Sequence, residues 1–267
     1  MIDLLLFLVF WIILSILGEI GVSVWGPHFY YYTASTQALE GLNASLFLFR
    51  VLTPIFVFVV LMIIFVPTRF KAKRDGSIIP GKRARTNRAY VGIWITVSIV
   101  INLLFFLHPT TSAAEEQFNQ LQPAANTHDL IVDVTARQWE WRFGYPQYGV
   151  NAAVDPAGND VLYLPVGKKV EFVLRSYDFN HPYDMGLDVI HGFWIPAFGE
   201  KEDVIPGETR YEVITPNVIT STEVNPMVRV QCSEVCGPGH PVMYAAVHVV
   251  SMKDFLQWVH AQHKAGN

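Results

Sequence analysis

The only two cysteines of the 267-residue chain, Cys232 and Cys236, lie four residues apart. His240 follows four residues after the second cysteine, and Met243 follows three residues later. Two thiolates, an imidazole and a thioether form a soft ligand set that selects copper over magnesium, calcium or manganese. A mononuclear blue-copper site uses one cysteine, so the second thiolate suits two copper ions that share both sulfurs. A second imidazole is then required, and His191 is the best candidate.

The same cysteine pair allows three other interpretations. Outside the cytoplasm, two cysteines can form a disulfide. They could also hold structural zinc, although a methionine in register adds nothing to a zinc site. Finally, both thiols could be inert core residues. The Gly-Pro-Gly turn at residues 237–239, read together with His240 and Met243, favours copper.

The composition divides the chain into two parts. Hydrophobic residues make up 51% of the sequence and charged residues 16%, a low charged fraction for a soluble protein. The net charge of −4 does not point to nucleic acid as a partner. Residues 1–108 are mostly apolar apart from one basic loop, and nearly all acidic residues lie beyond residue 108.

The N-terminal part carries two or three predicted membrane spans. The apolar run at 4–17 fits either a signal-peptide core or a spanning helix, and residues 1–25 are therefore an extra transmembrane helix or a signal peptide. The run has no basic residue before it and no clear cleavage site after it, which favours a retained helix. Residues 26–108 are predicted to form a transmembrane helical hairpin with spans at about 44–66 and 89–107, the first closed by Pro67.

The loop between the two hairpin spans sets the predicted orientation. Eight basic residues in the 69–88 stretch oppose one acid, Asp75. By the positive-inside rule this loop lies in the cytoplasm. Everything after residue 108 then faces the opposite side of the membrane.

The C-terminal part is predicted to be an all-β domain. Residues 109–128 form a polar linker, residues 129–250 alternate short β-branched and aromatic runs with turn residues, and residues 251–267 form a tail with a short amphipathic helix. This spacing indicates a Greek-key β-sandwich or barrel. The predicted strands are 130–135, 138–143, 161–164, 169–175, 210–215, 227–231 and 244–250. The cysteine-bearing segment joins the last two.

Several motifs together resemble subunit II of the haem-copper cytochrome c oxidases, over residues from about 40 to 260. The strongest is Cys-x-Glu-x-Cys-Gly-x-x-His-x-x-Met at residues 232–243. Asp-Val-Ile-His at 188–191, Phe-Trp-Ile-Pro at 193–196 and Lys-x-Asp-x-x-Pro-Gly at 201–207 are similar to the second ligand loop of the family. Gln-Trp-x-Trp at 138–141 resembles the aromatic motif that faces the electron donor.

The resemblance implies a cupredoxin fold that bears a binuclear CuA centre. By position in the motif, Cys232 and Cys236 would bridge the two coppers. His191 and His240 would each bind one copper, and Met243 would be the weak axial ligand.

The resemblance also implies roles for two neighbouring residues. The backbone carbonyl of Glu234 would oppose the methionine, and the Glu234 side chain would bind a magnesium ion at the interface with subunit I. Trp139 would be where electrons enter. The alternative for Trp139 is core packing, because on the predicted strand Trp139 and Trp141 point to one face.

The function implied is that of the electron-input subunit of a respiratory haem-copper oxidase. It would accept electrons from cytochrome c or a small copper protein and pass them to haem in subunit I, for oxygen reduction coupled to proton translocation. The chain would be a multi-pass protein of a bacterial-type plasma membrane, with its C-terminal domain on the periplasmic or extracellular side. Two alternatives stay open: the CuA subunit of a nitric oxide reductase, and a membrane-tethered copper carrier or sensor.

Some features depart from the family pattern or leave choices open. Residues 176–187 resemble an insertion and contain His181, a rival histidine ligand. Val91 stands where the family often has the glutamate of a proton path. Acids near the site could steer a basic donor by long-range attraction. The candidates are Glu140, Asp178, Asp184 and Asp188.

Overall fold

The computed structural model describes residues 2–29, 32–69, 88–108, 129–177 and 188–265, together with residues 111, 112 and 115. The chain divides into two compact units. One contains residues 1–30 and 42–112 and is helical where described, and the other contains residues 31–41 and 113–267 and carries every described strand.

Among the described residues, three long apolar helices precede the β domain. They are α1 (Ile2–Trp25), α2 (Thr36–Arg69) and α3 (Arg88–Leu107). Each is long and apolar enough to cross a membrane. Helix α2 begins before the predicted span because Ser35 caps it, with the Ser35 hydroxyl accepting the Ala38 N–H at 2.9 Å. Pro67 lies inside α2, two residues before its last residue Arg69, rather than closing it.

Helices α1 and α2 pack against each other in antiparallel order. Phe7 lies with its ring centroid 5.4 Å from that of Phe58 and 5.5 Å from that of Phe65. Further along α1, the Trp11 indole N–H donates to the Pro54 carbonyl at 2.7 Å. Residues later in α1 therefore contact residues earlier in α2.

The C-terminal unit is a sandwich of two β-sheets, which confirms the predicted fold class. Its strands are β1 (Leu130–Arg137), β2 (Glu140–Gly144), β3 (Val161–Pro165), β4 (Val170–Ser176), β5 (His191–Trp194), β6 (Lys201–Val204), β7 (Arg210–Ile214), β8 (Thr220–Ser221), β9 (Arg229–Cys232) and β10 (Tyr244–Val250). One sheet has the order β2-β1-β4-β7. The other has the order β3-β10-β9-β5-β6, with β8 paired to β10. The β1–β4 and β3–β10 pairs are parallel and the other strand pairs are antiparallel.

Alternate residues of the strands form the core between the sheets. In β1, every second residue from Leu130 to Ala136 is buried, as period-2 alternation requires. The C-terminal helix α4 (Met252–Ala265) adds Phe255 and Val259 to this core. The core therefore holds β9 and β10 rigidly on either side of the cysteine-bearing segment.

Candidate metal centre

The predicted ligand residues come from two neighbouring strands and one connecting segment. His191 begins β5 and Cys232 ends β9, and these strands pair antiparallel with Phe193 opposite Cys232. Cys236 and Met243 lie in the segment that links β9 to β10, which also contains His240. Strand pairing thus brings a residue 41 positions earlier in the chain beside the cysteines.

The five predicted ligand side chains lie together in the structure. The two sulfurs of Cys232 and Cys236 are 3.7 Å apart. Nδ1 of His191 is 3.7 Å from the Cys232 sulfur, and Nδ1 of His240 is 3.7 Å from the Cys236 sulfur. The Met243 sulfur lies 3.8 Å from the Cys236 sulfur. The arrangement is symmetric, with one imidazole at each thiol.

The cluster can hold a soft metal ion. Ligand atoms of His191, Cys232 and Cys236 lie within 4.8 Å of one another and could share an ion. The Glu234 carbonyl oxygen is 3.1 Å from the Cys232 sulfur, so a backbone oxygen also faces the group. Both cysteines are free thiols, and their separation is well beyond the S–S bond length of about 2.05 Å.

Burial controls the protonation of these donors. Burial, and then the neighbouring Cys232, raises the pKa of Cys236 to about 12. Burial, and then the nearby His240, lowers the pKa of His191 to about 4. At neutral pH His191 is therefore a neutral ligand, whereas the Cys236 thiol must give up its proton when a metal binds.

Trp139 lies directly against the segment between β9 and β10 (residues 233–243, the ligand segment). Its indole N–H donates to the Cys236 carbonyl at 3.0 Å, and the Gln138 side-chain amide donates to the same oxygen at 2.6 Å. A side chain at Gly237 would come within 3.0 Å of the Trp139 ring, and one at Gly239 would overlap it. Glycine at both positions therefore lets the indole approach the backbone closely.

The prediction that Trp139 and Trp141 share one strand face is wrong. Residues 138 and 139 form the turn between β1 and β2, and β2 begins at Glu140. Trp139 is 39% exposed, whereas Trp141 is 1% exposed and lies in the core. The turn breaks the period-2 alternation on which the prediction relied.

Sequence reasoning missed Trp141 as a wall of the site. Its ring centroid lies 6.2 Å from that of His191 and 5.6 Å from that of Phe193. Within the described part of the chain, Trp141 Nε1 and His191 Nε2 are buried without a hydrogen-bond partner. The available signal was the alternation of Trp141 and Phe143 along β2, continued by Tyr145 just after the strand, which marks the inward face.

The predicted acids have different surroundings. Glu234 is partly exposed, and its carboxylate is 3.7 Å from the Lys201 ammonium. Glu140 is held between two arginines, with the Nε atoms of Arg137 and Arg142 at 2.6 and 2.7 Å from its Oε1. Because its charge is compensated there, Glu140 is a poor steering group. Asp178, Asp184 and the rival ligand His181 lie outside the described residues.

Comparison with known proteins identifies the domain. The family described as cytochrome C oxidase subunit II, periplasmic domain, matches residues 130–250. The chain belongs to the cytochrome c oxidase subunit II family. A cytochrome c oxidase subunit 2 of Alkalihalophilus pseudofirmus is 28% identical over 78% of this chain and 54% of its own length. A probable cytochrome c oxidase subunit 2 of Rickettsia prowazekii is 31% identical over 82% of this chain and 66% of its own.

Among solved structures, the periplasmic domain of subunit II of cytochrome oxidase of Bradyrhizobium japonicum is similar to this subunit II chain. It shares 29% sequence identity with a TM-score of 0.43, and the match covers 52% of this chain and 96% of that one. The chain spans about half the length of the first two curated relatives, at 54% and 51%.

Proposed function

We propose that the chain is the electron-input subunit of a respiratory haem-copper oxidase, and that it holds a binuclear CuA centre. The observation that carries this proposal is the symmetric cluster of two thiols and two imidazole nitrogens, with an exposed indole bonded to the backbone of one cysteine. Two coppers held by shared thiolates would supply a one-electron relay. Cys232 and Cys236 would bridge the coppers, and His191 and His240 would each bind one.

The remaining donors and the packing would keep the ligand geometry fixed. The Met243 sulfur and the Glu234 carbonyl would be the weak ligands. His191 and Met243 are almost fully buried, at 0% and 1% exposure. Buried side chains in a close-packed core rearrange little, which suits a group that must change charge without moving its ligands.

Trp139 would receive the electron from the donor protein. Its exposed ring can contact a docked partner, and its N–H bond to the Cys236 carbonyl joins it to a bridging residue. The donor is cytochrome c or a small copper protein. The partner subunit I would take the electron onto haem, reduce oxygen and translocate protons.

Glu234 would have a second role through its side chain. The carboxylate is partly exposed and faces Lys201 rather than the copper ligands. A carboxylate in that position can bind magnesium together with ligands from subunit I. Subunit I would thereby contact Glu234, whose backbone carbonyl faces the copper ligands.

The chain would cross the plasma membrane of a bacterial-type cell three times, with residues 1–25 retained. The basic loop after α2 lies in the cytoplasm and the β domain on the periplasmic or extracellular side. The contacts of α1 support retention, because they run along much of α2. At the cytoplasmic end Arg69 and Asp3 form an ion pair at 2.6 Å, and Trp11 bonds to Pro54 farther along.

The buried ligands favour a relay over a copper carrier or sensor. A carrier needs exposed, exchangeable donors, whereas Cys236 is 2% exposed and is covered by Trp139. The relatives compared above bear the names of oxidase subunits, which favours an oxidase over a nitric oxide reductase.

Rapid-mixing kinetics of the purified complex test this proposal. Reduced cytochrome c should reduce the copper centre before any haem is reduced, and oxygen should be consumed. Trp139→Leu should slow that first step while the copper content stays unchanged, and Trp25→Leu in α1 is the matched control. Haem reduction without prior copper reduction, or consumption of nitric oxide in place of oxygen, would contradict the proposal.

A further inference from the structure

A cavity opens on the outer face of the six-stranded sheet beside the metal centre. Its volume is about 340 Å³. Its lining includes Arg229, Gln231, Cys232, His240, Met243 and Tyr244. Val230 is buried in the core, so alternation along β9 places Arg229 and Gln231 on the outer face. Trp139 does not line this space, so the Arg229 cavity is a different approach to the ligands.

Arg229 carries the charge of this cavity. Its Nε donates to Gln231 at 2.8 Å. Every other arginine in the described part of the C-terminal domain has a carboxylate within ion-pair distance; the pairs are Arg137–Glu140, Arg142–Glu140, Arg175–Asp133 and Arg210–Glu202. Among the described residues, Arg229 has no such carboxylate. The rest of its guanidinium is therefore available to an anion from outside.

Two other side chains at the cavity, Tyr244 and His240, can also donate hydrogen bonds to an acceptor such as a carboxylate. The Tyr244 side chain is 63% exposed, and its hydroxyl makes no hydrogen bond within the described ranges. His240 points Nδ1 toward the Cys236 sulfur, which leaves Nε2 as the ring nitrogen that would carry the proton. Metal-binding histidines commonly donate that second N–H to a carboxylate or carbonyl. The planar guanidinium of Arg229 matches a carboxylate with two parallel bonds.

The surrounding surface fits a protein better than a small anion. Val242 is 67% exposed beside the cavity, and Tyr244 and Trp194 flank Gln231 across the sheet. An arginine and aromatic side chains around exposed apolar surface are typical of the centre of a protein interface. A free anion would use none of the apolar surface.

We propose that the Arg229 cavity receives a carboxylate side chain of the electron-accepting partner subunit. The carboxylate would pair with the Arg229 guanidinium and accept hydrogen bonds from the Tyr244 hydroxyl and the His240 ring. This inference rests on the proposed function, since it assumes a partner that docks beside the copper ligands. It adds a specific anchor, of defined charge, for that partner.

Retention of the partner by the tagged full-length chain tests the anchor. The complex is purified in detergent at rising sodium chloride, with Arg229→Gln, Arg229→Lys and Tyr244→Phe compared with wild type. Because a charge-assisted bond is lost, Arg229→Gln should lower retention about tenfold or more. Arg229→Lys should retain an intermediate amount, and Tyr244→Phe should lose about threefold. Arg175→Gln, which breaks a surface pair on the other sheet, should behave like wild type.

The copper spectrum of each variant separates this inference from the proposed function. A wild-type chain without a two-copper signal would contradict the proposed function itself. With that signal intact, equal retention by Arg229→Gln and wild type would overturn the anchor. The anchor would also be overturned if Arg229→Gln changed only the apparent affinity for cytochrome c. The same holds if the copper spectrum responded to millimolar acetate in an Arg229-dependent way while retention of the partner stayed unchanged.

Discussion

The two ends of strand β10 are surrounded by different kinds of side chains. At its C-terminal end, near α4, the Tyr145 hydroxyl donates to the Tyr163 carbonyl and accepts the Tyr163 N–H, both at 2.8 Å. At its N-terminal end, near the metal centre, His191 Nε2 and Trp141 Nε1 are buried and lack a partner among the described residues. At the α4 end, Trp258 Nε1 and Thr220 Oγ1 are also buried without a described partner, so the kinds of side chain, and not the unpaired atoms, distinguish the two ends.

The packing around the two ends shows this difference. Near α4, Trp258 stacks on Tyr163 at a centroid distance of 4.4 Å and lies edge-on to Tyr145 at 5.1 Å. Such aromatic packing stabilises a fold without a bound metal. The metal end places two thiols and two imidazoles at similar spacing, where they gain little without a metal. We infer that the α4 end stabilises the domain and that the metal end serves its function.

The largest effect is expected from a substitution that changes only the metal end. Cys236→Ser should abolish the shared-spin copper signal, because a serine hydroxyl does not replace a bridging thiolate. The unfolding temperature of the metal-free chain should change little, since one sulfur is replaced by one oxygen. Copper content, electron paramagnetic resonance and circular dichroism measure these outcomes. An intact two-copper signal in the variant would contradict the bridging role.

The reverse experiment changes the packing at the α4 end and leaves the metal ligands unchanged. Phe255→Ala removes a fully buried ring and should lower the free energy of unfolding by about 3–5 kcal/mol, as measured in metal-free protein. Copper stoichiometry in the folded fraction should stay at the wild-type value. The milder Phe255→Leu variant keeps most of the volume and should show the same pattern with a smaller loss of stability. A loss of copper at full stability would show that the two ends are not separable.

A smaller effect is expected at the contact between Trp139 and the ligand segment. Gly239→Ala places a methyl group against the indole and should displace it. Reduction of the copper centre by the donor should slow by about tenfold to a hundredfold, while copper is retained. Gly92→Ala in α3 is a suitable control, because its added methyl group meets nothing within 4 Å. Unchanged kinetics would argue that electrons enter elsewhere.

The smallest expected effect is a pH dependence of stability near the hairpin that carries Trp139. Burial raises the pKa of Asp160 to about 6 despite the nearby Arg142. The folded state then binds a proton that the unfolded state has lost, so this group makes stability fall as pH rises from about 4 to about 6. Asp160→Asn should remove this part of the slope in unfolding curves of the metal-free chain. An unchanged slope would mean that Asp160 titrates normally.

Much of this architecture could be predicted from the sequence. The soft donors in one short segment and the apolar runs with a basic loop between them were clear signals. Strands β5, β6 and β8 were missed because they are short, and a strand such as Lys201–Val204 carries no alternation of apolar residues. The early start of α2 was missed because Ser35 was not considered as a cap.

Other features of the site depend on contacts between distant residues. The turn that separates Trp139 from Trp141 depends on how β1 pairs with β2, and a short motif does not reveal that register. The availability of Arg229 could not be predicted either, since it depends on which carboxylates the folded chain brings near each arginine. Likewise, Glu140 looks like a free acid in the sequence but lies between two arginines.

The most direct test of the central claim is the copper content of the purified full-length chain together with its electron paramagnetic resonance spectrum. We predict two copper ions per chain with one unpaired electron shared equally between them. A single copper ion per chain, or a disulfide between Cys232 and Cys236 in the copper-treated protein, would contradict it.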